Sequence, residues 1–262
     1  MSSVVLSVPG ASISEGRNTA IAAAAGPWIA ANDAGTHLSA DWFETMAARM
    51  TDDVDVVSGF SEPLEGAFLA STIGAVITPT LDEIDSATFL PSSRSVAFRK
   101  SSWADVGGYP EWLDYCEDLV FDFALIEHGH RIVFEPKAVV GWDARATYRA
   151  FFKQYFRYAR GDGKANLWRK RHIARYGAYF IGIVLIVLSI VIWNPIPLIL
   201  LALGGAGYLS KFWRRVWRRR DRVIKNPIAS LLLVPLTVVI GDVAKMLGYP
   251  VGIAWRREHR ES

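Results

Sequence analysis

Cysteine is almost absent from this 262-residue sequence, since Cys116 is the only one. A single cysteine cannot form an intrachain disulfide, and it leaves no cysteine framework or zinc-ligand cluster. We therefore expect no disulfide-stabilised fold, and a reducing compartment for the half of the chain that carries Cys116. The thiol is expected to pack as a small buried hydrophobe rather than to act as a nucleophile.

The first 25 residues lack the features of a secretion signal. They have neither the basic start nor the long apolar core of a signal peptide, and no lipidation pattern is evident. The apolar segments further along the chain are therefore the candidates for membrane attachment.

Charge is divided unevenly along the chain. Residues 1–150 carry 21 acidic and 9 basic side chains, whereas residues 151–262 carry 5 acidic and 20 basic ones. The basic residues flank long apolar runs, which is typical of segments beside anionic lipid head groups, so we expect a lipid bilayer and no nucleic acid as partner. With 51% hydrophobic residues, the composition favours one compact domain followed by membrane segments.

No charged side chain occurs within residues 176–210. As a single helix this segment would be roughly 52 Å long, which exceeds a hydrocarbon core of about 30 Å. The sequence "NPIP" at 194–197 therefore predicts a helical hairpin of two spans. Basic clusters at 169–175 and 211–225 flank the hairpin, and the positive-inside rule places both of its ends in the cytoplasm.

A third apolar segment, at about 227–254, contains Asp242 and Lys245 and is followed by the basic sequence "WRREHR". A full crossing would leave these basic residues outside, so an interfacial or re-entrant segment is favoured. Asp242 and Lys245 are three apart on a helix and are expected to pair. Because no other charge lies within the apolar segments, a transporter subunit is the weakest interpretation.

Hydrophobic periodicity predicts an α/β fold for the acidic half. Strand, helix and strand follow one another within about 30 residues, a spacing that predicts a right-handed crossover between parallel strands. Ligands bind beyond the carboxyl ends of such strands, which is where Asp33 falls. The predicted strands are 3–8, 28–33, about 54–59, "SVAFRK", "RIVFEP" and "AVVGW"; the predicted helices are 17–25, about 40–50, 116–129 and 148–163.

Five short motifs occur in order over residues 3–165. They are Arg17-Asn18 in "SEGRNTAIAAAAG", Asp33 after a strand, "SVAFRKSSWADVGGY", Glu117-Asp118 at a helix start, and "QYFRYARG" before the membrane segments. Together they resemble a family 2 glycosyltransferase with a GT-A-type, Rossmann-like nucleotide-sugar domain. The resemblance implies a catalytic domain over residues 1–165 and an α-helical membrane region over 166–262.

The start of the chain departs from the pattern of this family. Its members usually begin with two further strands, which end in residues that hold the nucleotide base and ribose. This chain begins where the third strand would be, so we expect a partial domain that binds its donor weakly unless upstream sequence supplies the missing half-site.

The resemblance also implies Mg²⁺ or Mn²⁺ as cofactor, with Asp33 as the ribose or metal ligand. Relatives carry a second acidic ligand where this chain has Gly35, and many carry a histidine where it has Trp142. The usual metal site is therefore not expected, although phosphate oxygens, water and one carboxylate can hold a hard cation. The alternative for Asp33 is a solvated turn residue that caps the next helix.

Glu117 and Asp118 are the candidates for chemistry. An inverting sugar transfer needs a carboxylate that takes the proton of the acceptor hydroxyl, and the resemblance gives this role to Asp118. Glu117 would orient the acceptor or the base. The alternative is that both residues only favour a helix N-terminus.

Gln154, Arg157 and Tyr158 resemble the Gln-x-x-Arg-Trp element of membrane sugar polymerases, with Tyr158 in place of Trp. Arginine suits a diphosphate leaving group, and Tyr158 could stack on an acceptor sugar; the alternative is a plain interfacial helix. Arg17 and Asn18 are candidates for holding the donor phosphate or the strand-end loop, with a helix-start role as their alternative.

The sequence therefore predicts a multi-pass cell-membrane glycosyltransferase with a cytoplasmic catalytic domain. It would move a sugar from a nucleotide-sugar donor to a lipid-linked or glycan acceptor, such as a cell-envelope polysaccharide. The alternative is a non-catalytic, truncated transferase-like membrane protein that acts in assembly with a partner.

Overall fold

A computed structural model of the chain describes residues 5–259, which contain five strands and nine α-helices. In chain order these elements are α1 (Ile13–Ala23), β1 (Trp28–Ala31), β2 (Thr36–Leu38), α2 (Trp42–Ala47), β3 (Val56–Pro63), α3 (Phe68–Ile77), β4 (Val96–Arg99), α4 (Lys100–Asp105), α5 (Glu117–Glu127), β5 (Ile132–Trp142), α6 (Tyr148–Ala165), α7 (Arg169–Val191), α8 (Ile196–Arg218) and α9 (Pro227–Glu258).

The described chain divides into two compact units. The first comprises the described residues up to Glu62 together with Thr80–Asp143, and it contains the sheet. The second comprises Pro63–Pro79 together with the described residues from Ala144 onward. It therefore contains α3 and the helices α6 to α9.

The sheet has the strand order β1-β4-β3-β5-β2. Strand β4 pairs antiparallel with both β1 and β3, and β2 pairs antiparallel with β5. Because successive side chains of a strand point to opposite faces, Val56 and Phe98 pack against α1 and α5, whereas Val57 and Ala97 pack against α2. Helices thus cover both faces of the sheet.

Two predictions about the start of the chain are wrong. The strand predicted at 3–8 is absent from residues 5–8, where Val5 and Leu6 are exposed and no regular structure forms; residues 3 and 4 lie outside the described part. The parallel crossover is wrong because residues 5–8 form no strand and β1, at the edge of the described sheet, pairs antiparallel with β4, with Trp28 opposite Arg99. Pairing with a strand about 70 positions away leaves no trace in a local hydrophobic pattern.

Two other boundaries differ from the prediction. Helix α1 begins at Ile13, because Ser12 and Glu15 form a capping box with reciprocal side-chain to backbone hydrogen bonds. The two predicted closing strands are one strand, β5, which continues through the exposed residue Pro136.

The helices α7, α8 and α9 are each long and apolar enough to cross a membrane, judged by length and composition. Helices α7 and α8 are separated at residues 192–195, at the predicted break. In their most apolar windows only 6% of the residues of α7 and of α8 are buried, against 39% for α9. Asp242 and Lys245 pair at 3.9 Å, as predicted.

Candidate active site

Arg17 joins two carboxylates that are far apart in the sequence. The capped start of α1 places Arg17 on the second turn of that helix. Its Nη2 donates to Asp33 Oδ1 at 2.6 Å, and its Nη1 donates to Glu117 Oε1 at 2.6 Å. One guanidinium therefore ties the turn after β1 to the start of α5.

The Arg17 guanidinium keeps its charge in this setting. Burial by itself lowers the pKa of Arg17, but the neighbouring Asp33, Tyr109 and Glu117 outweigh that effect, so the pKa is raised. The guanidinium also lies 5.4 Å from the centre of the Tyr109 ring, a cation–π contact. The site thus holds one fixed cation between two carboxylates.

Asp33 lies in the turn that follows β1. Its carbonyl oxygen accepts hydrogen bonds from the N–H and the hydroxyl of Thr36, at 3.2 and 2.8 Å. Gly35 completes the turn with a φ of +84°, which favours glycine. The Asp33 side chain is 40% exposed, so a ligand can reach it. It does not cap the next helix, because β2 comes next and Asp41 holds the N-cap position of α2.

Asn18 holds the Gly107-Gly108 loop in place. Its Oδ1 accepts from the N–H of Tyr109 at 2.9 Å and from Trp103 Nε1 at 3.1 Å, while its Nδ2 donates to the carbonyl oxygen of Tyr109 at 2.8 Å. Gly108 has a φ of +79°, and a Cβ there would lie 2.8 Å from Asn18 Oδ1. Asn18 therefore holds the loop that follows α4, which is a different loop from the strand-end loop considered in the sequence.

Glu117 and Asp118 begin α5, directly after Cys116, whose φ of 66° turns the chain into the helix. Cys116 is buried, as expected. The Glu117 side chain is buried against Arg17, and Asp118 is half-buried with its Oδ1 accepting from the N–H of Leu119 at 2.9 Å. Burial first, and then the charge of Glu117, raise the pKa of Asp118 to about 6.

Asp122 lies one helical turn beyond Asp118 and was missed by the sequence analysis. It is buried, and its Oδ2 has no hydrogen-bond partner among the described residues. Burial, followed by the charge of Asp118, raises the pKa of Asp122 well above its ordinary value.

Arg94 and Trp142 form a cation–π contact that the sequence did not predict. The Arg94 guanidinium lies 4.6 Å from the centre of the Trp142 ring, and it is near enough to Asp118 to lower the pKa of that carboxyl. The buried Trp142 Nε1 has no hydrogen-bond partner among the described residues. It is thus a buried donor that the described side chains leave unpaired.

Gln154, Arg157 and Tyr158 lie on α6, in the second unit. Gln154 Nε2 donates to the Tyr158 hydroxyl at 2.7 Å, and Gln154 Oε1 accepts from Arg145 Nε at 3.4 Å. Gln154 and Tyr158 lie on one side of α6, since residues four apart share a helix face. The hydrogen bonds restrain both side chains on that side.

The carboxylates do not fit a metal site built from protein ligands. Within residues 5–259 no group of three or more His, Cys, Asp or Glu side chains could hold a metal ion. Asp33 and Glu117 both face the Arg17 guanidinium, which a cation bound there would have to displace.

Comparison with known proteins identifies the family. The sequence profile described as "Glycosyl transferase family group 2" matches residues 28–241, and the chain belongs to this family. The chain is also 28% identical over 144 residues to the pre-mycofactocin glycosyltransferase of two Mycobacterium tuberculosis strains, CDC 1551 / Oshkosh and ATCC 25618 / H37Rv. That alignment covers 51% of this chain and 30% of each relative, so the chain spans about a third of their length.

The solved structures that are similar to this chain include two at low sequence identity. The mannosyltransferase PcManGT from Pyrobaculum calidifontis, in complex with GDP-Man and Mn²⁺, has a TM-score of 0.43 and 14% identity, with 95% of this chain and 67% of that chain covered. Residues 1–349 of S. aureus TarS give a TM-score of 0.37 and 18% identity, with 95% and 72% covered.

Proposed function

We propose that this chain is a membrane-anchored, inverting glycosyltransferase that moves a sugar from a nucleotide-sugar donor to a lipid-linked or glycan acceptor. The observation that carries the proposal is the Asp118 carboxylate at the start of α5. Its pKa of about 6 lies close to neutral, where a general base combines an ionised state with useful proton affinity. The family membership supports the reaction class.

Asp118 acts as the general base in this proposal. The acceptor hydroxyl gives its proton to the Asp118 carboxylate while its oxygen attacks the anomeric carbon of the donor. The bond from that carbon to the nucleoside diphosphate breaks, and the diphosphate leaves with the electron pair. Glu117, fixed by its hydrogen bond to Arg17, is a positioning residue that keeps the Asp118 side chain aimed at the acceptor.

The donor is held by the first unit in this proposal. Asp33, exposed on its turn at Gly35, accepts from the donor ribose, and Arg17 keeps Asp33 in place through their 2.6 Å contact. Asn18 contributes to the donor site by holding the Gly107-Gly108 loop. The roles of Arg157 toward the diphosphate, and of Gln154 and Tyr158 toward the acceptor, stay predictions from the sequence.

Membrane attachment is also part of the proposal. The almost entirely unburied apolar surfaces of α7 and α8 need a hydrocarbon environment, because exposed apolar patches of this size are not stable in water. The basic residues at both ends of the pair support a cytoplasmic location for these ends and for the catalytic domain that precedes them in the sequence.

Replacing Asp33 with alanine is expected to weaken nucleotide-sugar binding by about 10–100-fold, because a charged hydrogen-bond acceptor contributes about 1.5–3 kcal/mol. Calorimetric titration of the purified protein with a panel of nucleotide sugars measures this change. Asp53→Ala is the matched control, since Asp53 is exposed and paired with Arg131. It should bind like the wild type.

Two outcomes would contradict the proposal. Equal donor affinity in Asp33→Ala and the wild type would remove Asp33 from the donor site. A folded wild-type protein that binds no nucleotide sugar would favour the non-catalytic alternative.

A further inference from the structure

Helix α9 crosses the basic end of the α7–α8 pair instead of running beside it. Its contacts with α8 include Trp213 Nε1 donating to the carbonyl oxygen of Leu231 at 3.0 Å, and its contacts with α7 include the His172 and Tyr249 rings stacked at 3.8 Å. Between Leu231 and Tyr249 the axis of α9 advances about 27 Å. These contacts nevertheless stay at the end of the pair that carries the basic clusters.

Asp242 marks the crossing point. This buried carboxylate accepts from Arg175 Nε of α7 at 2.8 Å and from the Tyr208 hydroxyl of α8 at 2.8 Å. Beyond the crossing, side chains on the distal part of both helices are exposed, including Ile183, Val187, Ile199 and Leu203. A third span parallel to α7 and α8 would be expected to cover part of that surface.

Helix α6 runs alongside α9 in the same direction. The Tyr148 hydroxyl contacts Thr237 Oγ1 at 2.9 Å. Further along both helices, a Cβ on Gly248 would lie 2.2 Å from the carbonyl oxygen of Phe156, and a Cβ on Gly252 would lie 2.0 Å from that of Arg160. Glycines spaced four apart thus allow the two backbones to touch.

Because α6 contacts α9 from Thr237 to Gly252, α6 must lie at the same depth in the bilayer as this part of α9. Helix α6 is strongly charged, and a charged side chain in the hydrocarbon centre is costly. Its charged residues are Arg149, Lys153, Arg157, Arg160, Asp162 and Lys164. A spanning α9 would therefore draw a charged neighbour into the hydrocarbon.

The opposite side of α9 is an apolar stripe along nearly the whole helix. From Ile228 to Val239 its exposed large side chains are three or four residues apart, and Leu247 and Val251 extend the same side of the helix. They are Ile228, Leu232, Leu236, Val239, Leu247 and Val251.

We propose that α9 is an interfacial helix, not a third span: it lies in the membrane plane, buries this apolar stripe among the lipid acyl chains, and carries α6 on its aqueous side. The occupant of the stripe is bilayer hydrocarbon, because the stripe has no charged member and the unburied α7–α8 pair enters the same phase. The proposal concerns the membrane surface of the protein and does not depend on sugar transfer.

Spin labels on the stripe test this placement. Nitroxides are attached singly to cysteines at Leu232, Leu236, Leu247 and Val251 in liposome-embedded protein, and depth is measured from collisions with oxygen and with a water-soluble nickel chelate. An interfacial helix gives similar, shallow depths at all four positions. A spanning helix separates the first and last labels by about 28 Å along the membrane normal, and that result would overturn the proposal.

A second measurement does not depend on depth calibration. Cysteines at Lys225 and Glu258, which flank α9, should react with an impermeant reagent from the same side of sealed vesicles; reaction from opposite sides would also overturn the proposal. The wild-type protein serves as the labelling control, since its single cysteine is buried. Labels at Ile183 and Trp193 in the α7–α8 pair supply a depth gradient for comparison.

Discussion

Asp118→Asn is expected to lower the rate of sugar transfer by about 10²–10⁴-fold while donor affinity changes little. Asparagine keeps the size of aspartate and can still accept from the N–H of Leu119, as Asp118 does at 2.9 Å. It cannot take a proton from the acceptor hydroxyl. The loss therefore falls on the chemical step, and initial rates at saturating donor measure it.

Glu117→Gln is the matched comparison at the neighbouring position. Glutamine can still accept a hydrogen bond from Arg17. The rate of sugar transfer should therefore fall less for Glu117→Gln, at an orienting residue, than for Asp118→Asn, at the base. Because the chain spans about a third of its curated relatives, both variants are best assayed in the longest in-frame chain that the gene encodes. Full activity of Asp118→Asn would remove Asp118 from the mechanism.

Gly252→Ala is expected to separate α6 from α9. The added Cβ would lie 2.0 Å from the carbonyl oxygen of Arg160 and 2.7 Å from the backbone nitrogen of Lys164, and backbone atoms cannot move aside as a flexible side chain can. Overpacking of this kind costs about 1–3 kcal/mol or more, which corresponds to a fall of roughly 5–10 °C in the thermal unfolding midpoint. Unfolding of the detergent-solubilised protein, followed by size-exclusion chromatography after heating, measures the shift.

Gly205→Ala is the control for this substitution. Gly205 also lies inside a long apolar helix, but a Cβ there would meet no atom within 4 Å. Because alanine favours helix more than glycine does, this variant should unfold at or slightly above the wild-type temperature. Equal midpoints for the two variants would show that the close approach of α6 and α9 does not exist in the protein.

Local signals in the sequence were sufficient for much of the candidate site. The acidic pair predicted the start of α5 at Glu117, and the apolar run ending at Asp33 predicted the turn after β1. The charge-free segment with its Asn-Pro break predicted two helices separated near residue 194. Each of these features depends on residues within one or two turns of each other, so a local pattern contains the information.

Long-range pairing was beyond the reach of such patterns. The partner of β1 is β4, and Arg17 contacts Glu117, which is 100 positions away in the sequence. Arg94 belongs to no motif, and its contact with Trp142 depends on the folded sheet. The sequence does not distinguish Asp122 from the other polar residues of α5, because only the packing of the folded chain shows that Asp122 is buried. The crossing of α9 over the α7–α8 pair likewise depends on contacts between distant helices.

The pH dependence of the sugar-transfer rate tests the role of Asp118 most directly. Because the pKa of Asp118 is raised to about 6, the base is still largely protonated near about pH 5 and ionised by about pH 7. The wild-type rate should therefore rise with pH through a midpoint near 6, and this limb should be missing from the residual activity of Asp118→Asn. A flat profile in the wild type, or the same limb in both proteins, would contradict the assignment of Asp118 as the base.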